Sequence, residues 1–313
     1  MVVDVHAHWY PPSYLSALKA AEASGGRDAR LPPLPFVQSP PVADLSHRLR
    51  LMDEAGIDVQ ILNAGGPQHP EPVGAAQLSR ASNDGLSEAC AGSGGRFRFF
   101  ATLPLPHIAE CLGEIERSAA LPGCAGITLP THVEGAPLDD ERFAPILEAL
   151  DAGSRVAFLH PIGFRVPGLL ADWFMDWTIG APFEDTIASL RLMASGRLTQ
   201  FPHIRWIVPH LGGTLGFLME RLDAHSEVFP DLMGSAAKPS QLLANLAFDT
   251  SASAAEHVNL VASAVGAMRL VHGSDYPFVD QSDLRPTVER IHAAPRLDAV
   301  ERDAILAGSA VFG

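Results

Sequence analysis

Two histidines stand two residues apart near the start of the chain, His6 and His8 in the run MVVDVHAHWY. The residues around them are β-branched or aliphatic, which is typical of a strand. Side chains two apart on a strand point to the same face, so both imidazoles can bind one metal ion. A His-x-His pair alone is weak evidence for a metal site, and further ligands must come from elsewhere in the chain.

Three more polar residues stand at the ends of later apolar runs. His160 closes VAFLHP, His210 closes WIVPH, and Asp275 follows the run RLVHGS. Imidazole and carboxylate groups are common ligands of zinc, and burying a carboxylate without a cation is costly. These residues together with the first pair could form one metal-dependent site.

The runs that carry these residues recur along the whole chain, with helix-like stretches between them. We predict strands over 2–8, 58–64, 97–104, 124–130, 155–161, 204–210, 246–252 and 267–277. Strands that alternate with helices indicate a parallel sheet, and this number of strands equals that of a (β/α)8 TIM-type barrel. In such a barrel all strands end at one mouth, where the ligands would meet. A doubly wound sheet is the alternative fold.

Helix signals fill several of the gaps between strands. Asp44 is a suitable N-cap for LSHRLRLMDEA, and Gly56 is a suitable stop, so a helix is predicted between them. Further helices are predicted over 138–152, 184–196, 213–228, 253–265 and 284–293.

Residues 9–43 differ from the rest because they are rich in Pro, Gly and Ser. They follow the first strand directly, so their path begins at the predicted metal mouth. Proline keeps an extended chain stiff, and we interpret this stretch as a lid-like insertion rather than a separate domain. Residues 1–313 are therefore predicted to form a single barrel domain with one insertion.

Composition excludes several classes of protein. Of the 313 residues 47% are hydrophobic and 19% charged, which is typical of a globular chain and not of a disordered one. The net charge of −14 would repel nucleic acid. No run of about 18 apolar residues suggests a membrane span, and the N-terminus does not resemble a signal peptide, so a cytoplasmic location is expected.

The motifs DVHAH, FLHP, PHLGG and HGSDYPF, with RLRLMDEAGIDVQ after the insertion, resemble the amidohydrolase-2 branch of the metal-dependent amidohydrolase superfamily. That branch is typified by aminocarboxymuconate-semialdehyde decarboxylase and by the salicylate- and resorcylate-type decarboxylases. The resemblance covers nearly the whole chain. It implies that the metal ligands are His6, His8, His160 and Asp275, and that His210 is catalytic beside the metal. Asp275 counts among the catalytic residues as well.

The resemblance also bears on the number of metal ions. Binuclear members of the superfamily bridge their metals with a carbamylated lysine on the fourth strand, and the fourth run here, CAGITLP, contains no lysine. We therefore expect one divalent ion per chain. Three nitrogens and one carboxylate oxygen suit zinc, which is the expected ion, and manganese is the alternative.

Such a site serves two chemistries, because a divalent ion can activate water or stabilise negative charge while a histidine moves a proton. The predicted function is nonoxidative decarboxylation of an aromatic or unsaturated carboxylic acid. The first alternative is hydrolysis of a lactone or an amide. The second alternative is a metal-binding protein without catalysis.

The resemblance to the decarboxylases places aromatic side chains at the substrate pocket, namely Trp173, Trp177 and Phe278. In the muconate-semialdehyde enzymes two arginines hold a second substrate carboxylate, one from the insertion and one from a neighbouring subunit. By spacing, those positions fall here at Phe36 and Phe229, which favours a more apolar monocarboxylic acid. Arg165 could substitute for a missing arginine. A homodimer or homotetramer is the expected assembly.

Overall fold

The computed structural model describes residues 1–23, 34–66, 68–163, 170, 172–229, 237–243, 245–251, 253–278 and 280–313. Its centre is an eight-stranded sheet whose hydrogen-bonded neighbours are parallel and follow chain order. These strands are β1 Val3–His8, β2 Val59–Asn63, β3 Phe97–Ala101, β4 Cys124–Pro130, β7 Val156–His160, β8 Arg205–Val208, β9 Leu246–Asp249 and β10 Leu270–Val271. A hairpin after β4 supplies β5 His132–Val133 and β6 Ala136–Pro137.

The segment after β10 closes the sheet into a barrel by pairing with β1. The backbone N–H of Val5 donates to the carbonyl of His272 at 2.9 Å, and the N–H of Asp275 donates to the carbonyl of His6 at 2.8 Å. Tyr276 forms a parallel bridge with Ala7. The predicted (β/α)8 barrel is therefore confirmed, and the doubly wound alternative is wrong.

Helices surround the barrel. They are α1 Pro12–Ala23, α2 Leu34–Val37, α3 Pro40–Ala43, α4 Leu45–Ala55, α5 Pro72–Ala91, α6 Ile108–Ala119, α7 Ala144–Ala152, α8 Ala181–Ala194, α9 Arg197–Gln200, α10 Leu215–Val228, α11 Ala255–Val265, α12 Arg285–His292, α13 Ala299–Ala307 and α14 Ser309–Phe312. The predicted capping of α4 is confirmed, since the Asp44 side chain accepts from the N–H of Ser46 and Gly56 takes a left-handed φ of 69°. The helices α5, α6 and α13 were not predicted.

The described parts of the insertion are mostly helical rather than extended. Prolines stand at the first position of α1 and of α3, where a missing N–H costs nothing because no helical partner exists there. Tyr14 and Leu18 on α1 are buried in the outer core, as is Val37 on α2. The insertion is thus anchored to the barrel by apolar side chains, and its role as a lid stays a prediction.

Apolar side chains form two cores, one inside the barrel and one between barrel and helices. Val3 and Val5 belong to the inner core, whereas Ala7 belongs to the outer one. Strict alternation would put all three on the same face. One extra residue explains the change, because Asp4 and Ala7 pair with positions only two apart on β2. This β-bulge turns the side chains of His6 and His8 into the barrel.

Among the helices that the structure describes, no helix has the length and apolar content needed to cross a membrane.

Candidate metal centre

The ends of four barrel strands bring the predicted polar residues to one point. His6 and His8 lie on β1, His160 ends β7, and His210 and Asp275 follow β8 and β10. Nε2 of His6 lies 3.1 Å from Nε2 of His8, and the two atoms lie 3.2 and 3.3 Å from Oδ1 of Asp275. The His160 ring centroid is 4.9 Å from that of His8. The residues selected from the sequence therefore form one cluster.

The spacing of the donor atoms fits a single metal ion. Two groups each have ligand atoms within 4.8 Å of one another, His6 with His8 and His160, and His6 with His210 and Asp275. Bonds of about 2.0–2.2 Å around a tetrahedral ion place neighbouring ligand atoms roughly 3.3–3.6 Å apart. The separations of 3.1 to 3.3 Å among His6, His8 and Asp275 come within a few tenths of that range.

Asp249, at the end of β9, orients His6 from behind. Nδ1 of His6 donates to Oδ2 of Asp249 at 2.8 Å, which leaves Nε2 directed at the cluster. Oδ1 of Asp249 accepts from the backbone N–H of His210 at 3.1 Å and from Ser251. Burial lowers the pKa of His6, but Asp249 and Asp275 outweigh burial and the net pKa is raised. A carboxylate behind a metal-binding histidine is a common arrangement in metal sites.

The other two proposed nitrogen ligands are held neutral. Burial lowers the pKa of His8, and burial together with the neighbouring His8 and His6 lowers the pKa of His160 well below its ordinary value. Burial alone would raise the pKa of Asp275, but the neighbouring His6 and His210 hold it well below its usual range. Neutral imidazoles and an ionised carboxylate are the forms that bind a metal ion.

His210 is oriented by a carboxylate on a different element. Its Nδ1 donates to Oδ2 of Asp185 at 2.8 Å, and Asp185 lies fully buried near the start of α8. Nε2 of His210 then faces Oδ2 of Asp275 at 3.6 Å. Burial lowers the pKa of His210, but the hydrogen bond to Asp185 and the negative charge of the nearby Asp275 outweigh burial and raise that pKa well above its ordinary value. This imidazole is therefore suited to hold a proton at the site.

The backbone at the site is strained. His210, Leu211 and Asp275 have φ angles of 52°, 56° and 59°, which side chains other than glycine rarely adopt. Glycine is required nearby, because a Cβ on Gly213 would lie 1.8 Å from a backbone oxygen of α8 and one on Gly273 would lie 2.9 Å from Asp249. The glycines of PHLGG and HGSD thus let the chain approach these positions closely. Such strain is typical of functional sites.

Arg48, from the motif RLRLMD, supports the end of β1. Its side chain is fully buried and donates to the carbonyl of His8 at 2.6 Å and to Oε1 of Gln60 at 3.2 Å. The guanidinium also lies 4.6 Å from the ring centroid of Tyr276, the residue after Asp275. Arg48 therefore connects the two strand ends that carry His8 and Asp275.

Two of the predicted pocket aromatics lie beside the cluster. The Phe278 ring centroid is 5.0 Å from that of His8, and Phe36 stacks on Phe278 at 5.5 Å. Trp177 is partly buried in the turn before α8.

The other predicted pocket residues are not brought to the cluster. Trp173 is 87% exposed. Phe229 is 50% exposed at the end of α10, where its ring contacts His225. Arg165 lies outside the described residues. The pocket roles of these residues stay predictions.

Sequence reasoning missed the carboxylates that orient the histidines. Asp249 ends β9, but the predicted strand continued to residue 252, so the rule that selected the other strand ends did not point to Asp249. Asp185 lies inside a helix and has no comparable signal. His272, three residues before Asp275, does not join the cluster but faces α12, where its Nε2 lies 3.1 Å from Oγ1 of Thr287.

Comparisons with known proteins give a matching family and several relatives. A family model described as amidohydrolase matches residues 3–311. The 6-methylsalicylic acid decarboxylase of Aspergillus aculeatus is 30% identical over 88% of this chain and 84% of its own length. The 2-amino-3-carboxymuconate-6-semialdehyde decarboxylase of Dictyostelium discoideum is 22% identical over 74% of this chain, and the chain spans 66% of that relative's length.

A solved structure has the same fold. The 5-carboxyvanillate decarboxylase of Novosphingobium aromaticivorans, complexed with manganese and 4-hydroxy-3-methoxy-5-nitrobenzoic acid, superposes with a TM-score of 0.84 at 22% identity. The superposition covers 98% of this chain and 93% of that one.

Proposed function

The chain belongs to the amidohydrolase-2 family, and from that membership we propose that it is a metal-dependent carboxy-lyase that removes CO₂ from an aromatic carboxylic acid. The observation that carries the proposal is the cluster of four histidines and one aspartate at the barrel mouth, with a buried Asp185 behind His210. Curated relatives that act as decarboxylases on aromatic acids support the choice of reaction.

The metal would be held by His6, His8, His160 and Asp275. A divalent ion bound there would supply positive charge that polarises the substrate and stabilises the negative charge formed in the reaction. Zinc and manganese both suit three imidazoles and a carboxylate. The manganese in the solved neighbour supports testing that ion beside zinc.

His210 is the proposed acid. Decarboxylation breaks the bond between the ring carbon and the carboxyl carbon, leaves an electron pair on the ring carbon, and requires one proton there. Nε2 of His210 faces the cluster and can deliver that proton, while Asp185 fixes the ring through Nδ1 and stabilises its charged form. Asp275 keeps Nε2 in place from the metal side.

The substrate is proposed to be a monocarboxylic aromatic acid. The Phe278 ring lies against His8 and the Phe36 ring stacks on Phe278, and aromatic side chains suit a flat substrate. Phe229 would complete the pocket from a neighbouring subunit in a homodimer or homotetramer. The assembly and a cytoplasmic location stay predictions.

We expect one divalent ion per chain after purification and dialysis against metal-free buffer. The described ligand atoms form one compact cluster, and β4 carries no bridging lysine. Elemental analysis measures the ratio and identifies the ion. Two ions per chain would contradict the mononuclear site, and manganese in place of zinc would correct the expected metal.

The substrate class is tested with a panel of acids. We expect salicylate-type monocarboxylic acids to release CO₂ faster than muconate-type dicarboxylates, because Phe36 and Phe278 themselves offer no positive charge to a second carboxylate buried against them. The double variant Phe36→Arg with Phe229→Arg should narrow that preference. Faster turnover of a dicarboxylate by the unaltered protein would contradict the apolar pocket. Ring opening of a lactone without CO₂ release would instead identify a hydrolase, and metal-loaded protein inert to every acid would indicate binding without catalysis.

A further inference from the structure

A second buried carboxyl, that of Glu184, immediately precedes Asp185 on α8. Glu184 is 2% exposed, and its Oε2 accepts from Oγ1 of Thr131 at 2.6 Å and from the backbone N–H of Ile162 at 2.9 Å. We propose that Glu184 is a positioning residue that fixes His160 in the metal site by holding the two segments that follow β4 and β7.

The hydrogen bonds of Glu184 reach His160 from both sides. Thr131 follows β4 directly, and its backbone N–H donates to the carbonyl of His160 at 3.1 Å. Ile162 stands two residues after His160, separated from it by Pro161, which has no N–H of its own. Oε2 of Glu184 therefore connects Thr131, which is bonded to the His160 carbonyl, with Ile162, whose N–H is the first after His160.

The two oxygens of the Glu184 carboxyl have different surroundings. Oε2 receives both donors, whereas Oε1 is buried and has no hydrogen-bond partner in the part of the chain that the structure describes. Burial raises the pKa of Glu184 to about 7, although the hydrogen bonds from Thr131 and Ile162 oppose that shift. Thr131 and Ile162 thus need a hydrogen-bond acceptor at the position of Oε2. The uncharged amide of a glutamine can supply that acceptor.

One segment of α8 consequently serves two proposed site residues. Asp185 orients His210, which follows β8, and Glu184 holds the segments around His160, which ends β7. The helical turn Asp176–Gly180 runs directly into α8, so both carboxyls stand within a continuous helix. Their hydrogen bonds place this part of the helix beside the metal cluster.

The inference rests on the proposed metal site and is tested by metal affinity. We expect Glu184→Ala to weaken metal binding about 10–100-fold, the usual effect of losing a residue that orients a ligand. Glu184→Gln keeps an acceptor for Thr131 and Ile162 and should bind metal nearly as the wild type does. Competition against a chromogenic chelator measures the affinity at a temperature where all variants are folded.

Two further variants complete the test. Glu114→Ala removes a buried, hydrogen-bonded carboxyl on α6 and should lower thermal stability without changing metal affinity. Thr131→Val removes one of the two donors to Glu184 and should weaken metal binding less than Glu184→Ala does. If Glu184→Ala does not fold, the metal affinity of Thr131→Val tests the positioning role instead. A wild type that binds no metal would refute the proposed function. A wild type that binds metal, with unchanged affinity in Glu184→Ala and Thr131→Val, would refute the positioning role alone, as would equal losses in Glu184→Ala and Glu184→Gln.

Discussion

Replacing His8 by alanine should abolish both metal binding and decarboxylation while the barrel stays folded. Nε2 of His8 lies 3.1 Å from Nε2 of His6 and 3.3 Å from Oδ1 of Asp275, so its loss opens the middle of the proposed ligand set. Loss of a residue that only orients a metal ligand weakens metal binding by up to about 100-fold. Because His8 is itself a proposed ligand, we expect its loss to weaken metal binding by more than that. Elemental analysis and CO₂ release measure the two effects.

The fold should survive this substitution for a specific reason. Without metal, Nδ1 of His8 is buried and has no hydrogen-bond partner among the described residues, and such a group costs stability. Alanine removes that group, so the thermal unfolding temperature measured with a chelator present should change little. The apolar inner core around Val5 and Phe158 is untouched.

A matched control is available for this experiment. Nδ1 of His132, on β5, is also buried without a partner in the described part of the chain. His132→Ala should therefore keep full metal content and show what the loss of an imidazole with a buried, unpartnered Nδ1 does by itself. A His8→Ala variant that retains one ion per chain would remove His8 from the ligand set.

Replacing His210 by alanine should have the second largest effect, with the metal retained. We expect turnover to fall about 10²–10⁴-fold, the usual contribution of a positioned acid or base. His210 has a ligand atom close to those of His6 and Asp275, so it could also be a metal ligand. The metal content of the variant therefore decides whether His210 is a ligand or an acid. A metal-free His210→Ala protein would make this residue a ligand.

Asp185→Asn extends that test to the group behind the histidine. Asparagine keeps the size of the side chain but can present an N–H to Nδ1, which favours the wrong tautomer of His210. Turnover should fall while metal content stays at the wild-type level. Asp151→Asn is the matched control, because Asp151 bonds Nδ1 of His203 at 3.1 Å on the exposed surface. A decrease in both variants would indicate a general effect on stability.

The barrel and its mouth could be predicted because both depend on local patterns. Each apolar run is long enough to identify a strand, and the polar residue that ends it marks the mouth. The helix α5 has no such pattern, since its buried face includes Ser82, Asn83 and Gly85 in place of large apolar side chains. A Cβ on Gly85 would lie 2.5 Å from Pro11, so the helix packs closely against the insertion. That packing depends on tertiary contact, which no periodicity records.

The supporting residues of the site were beyond prediction for a related reason. Asp185 and Glu184 act on His210 and Thr131, which lie 25 and 53 positions away in the chain. Their roles follow from where α8 begins relative to the barrel mouth. Composition and spacing along the sequence carry no record of that placement.

The bulge in β1 makes the metal site depend on the pairing of a strand as well as on its residues. The extra residue lies between Asp4 and Ala7, and His6 and His8 follow the shifted phase of the pleat. If the same residues paired regularly, without the bulge, both imidazoles would be directed toward the surrounding helices, with every ligand still encoded in the gene. In an engineered or naturally diverging lineage, a change that abolished the bulge at constant strand length would therefore silence the enzyme as completely as loss of a histidine. A screen that scores only ligand identity would overlook it.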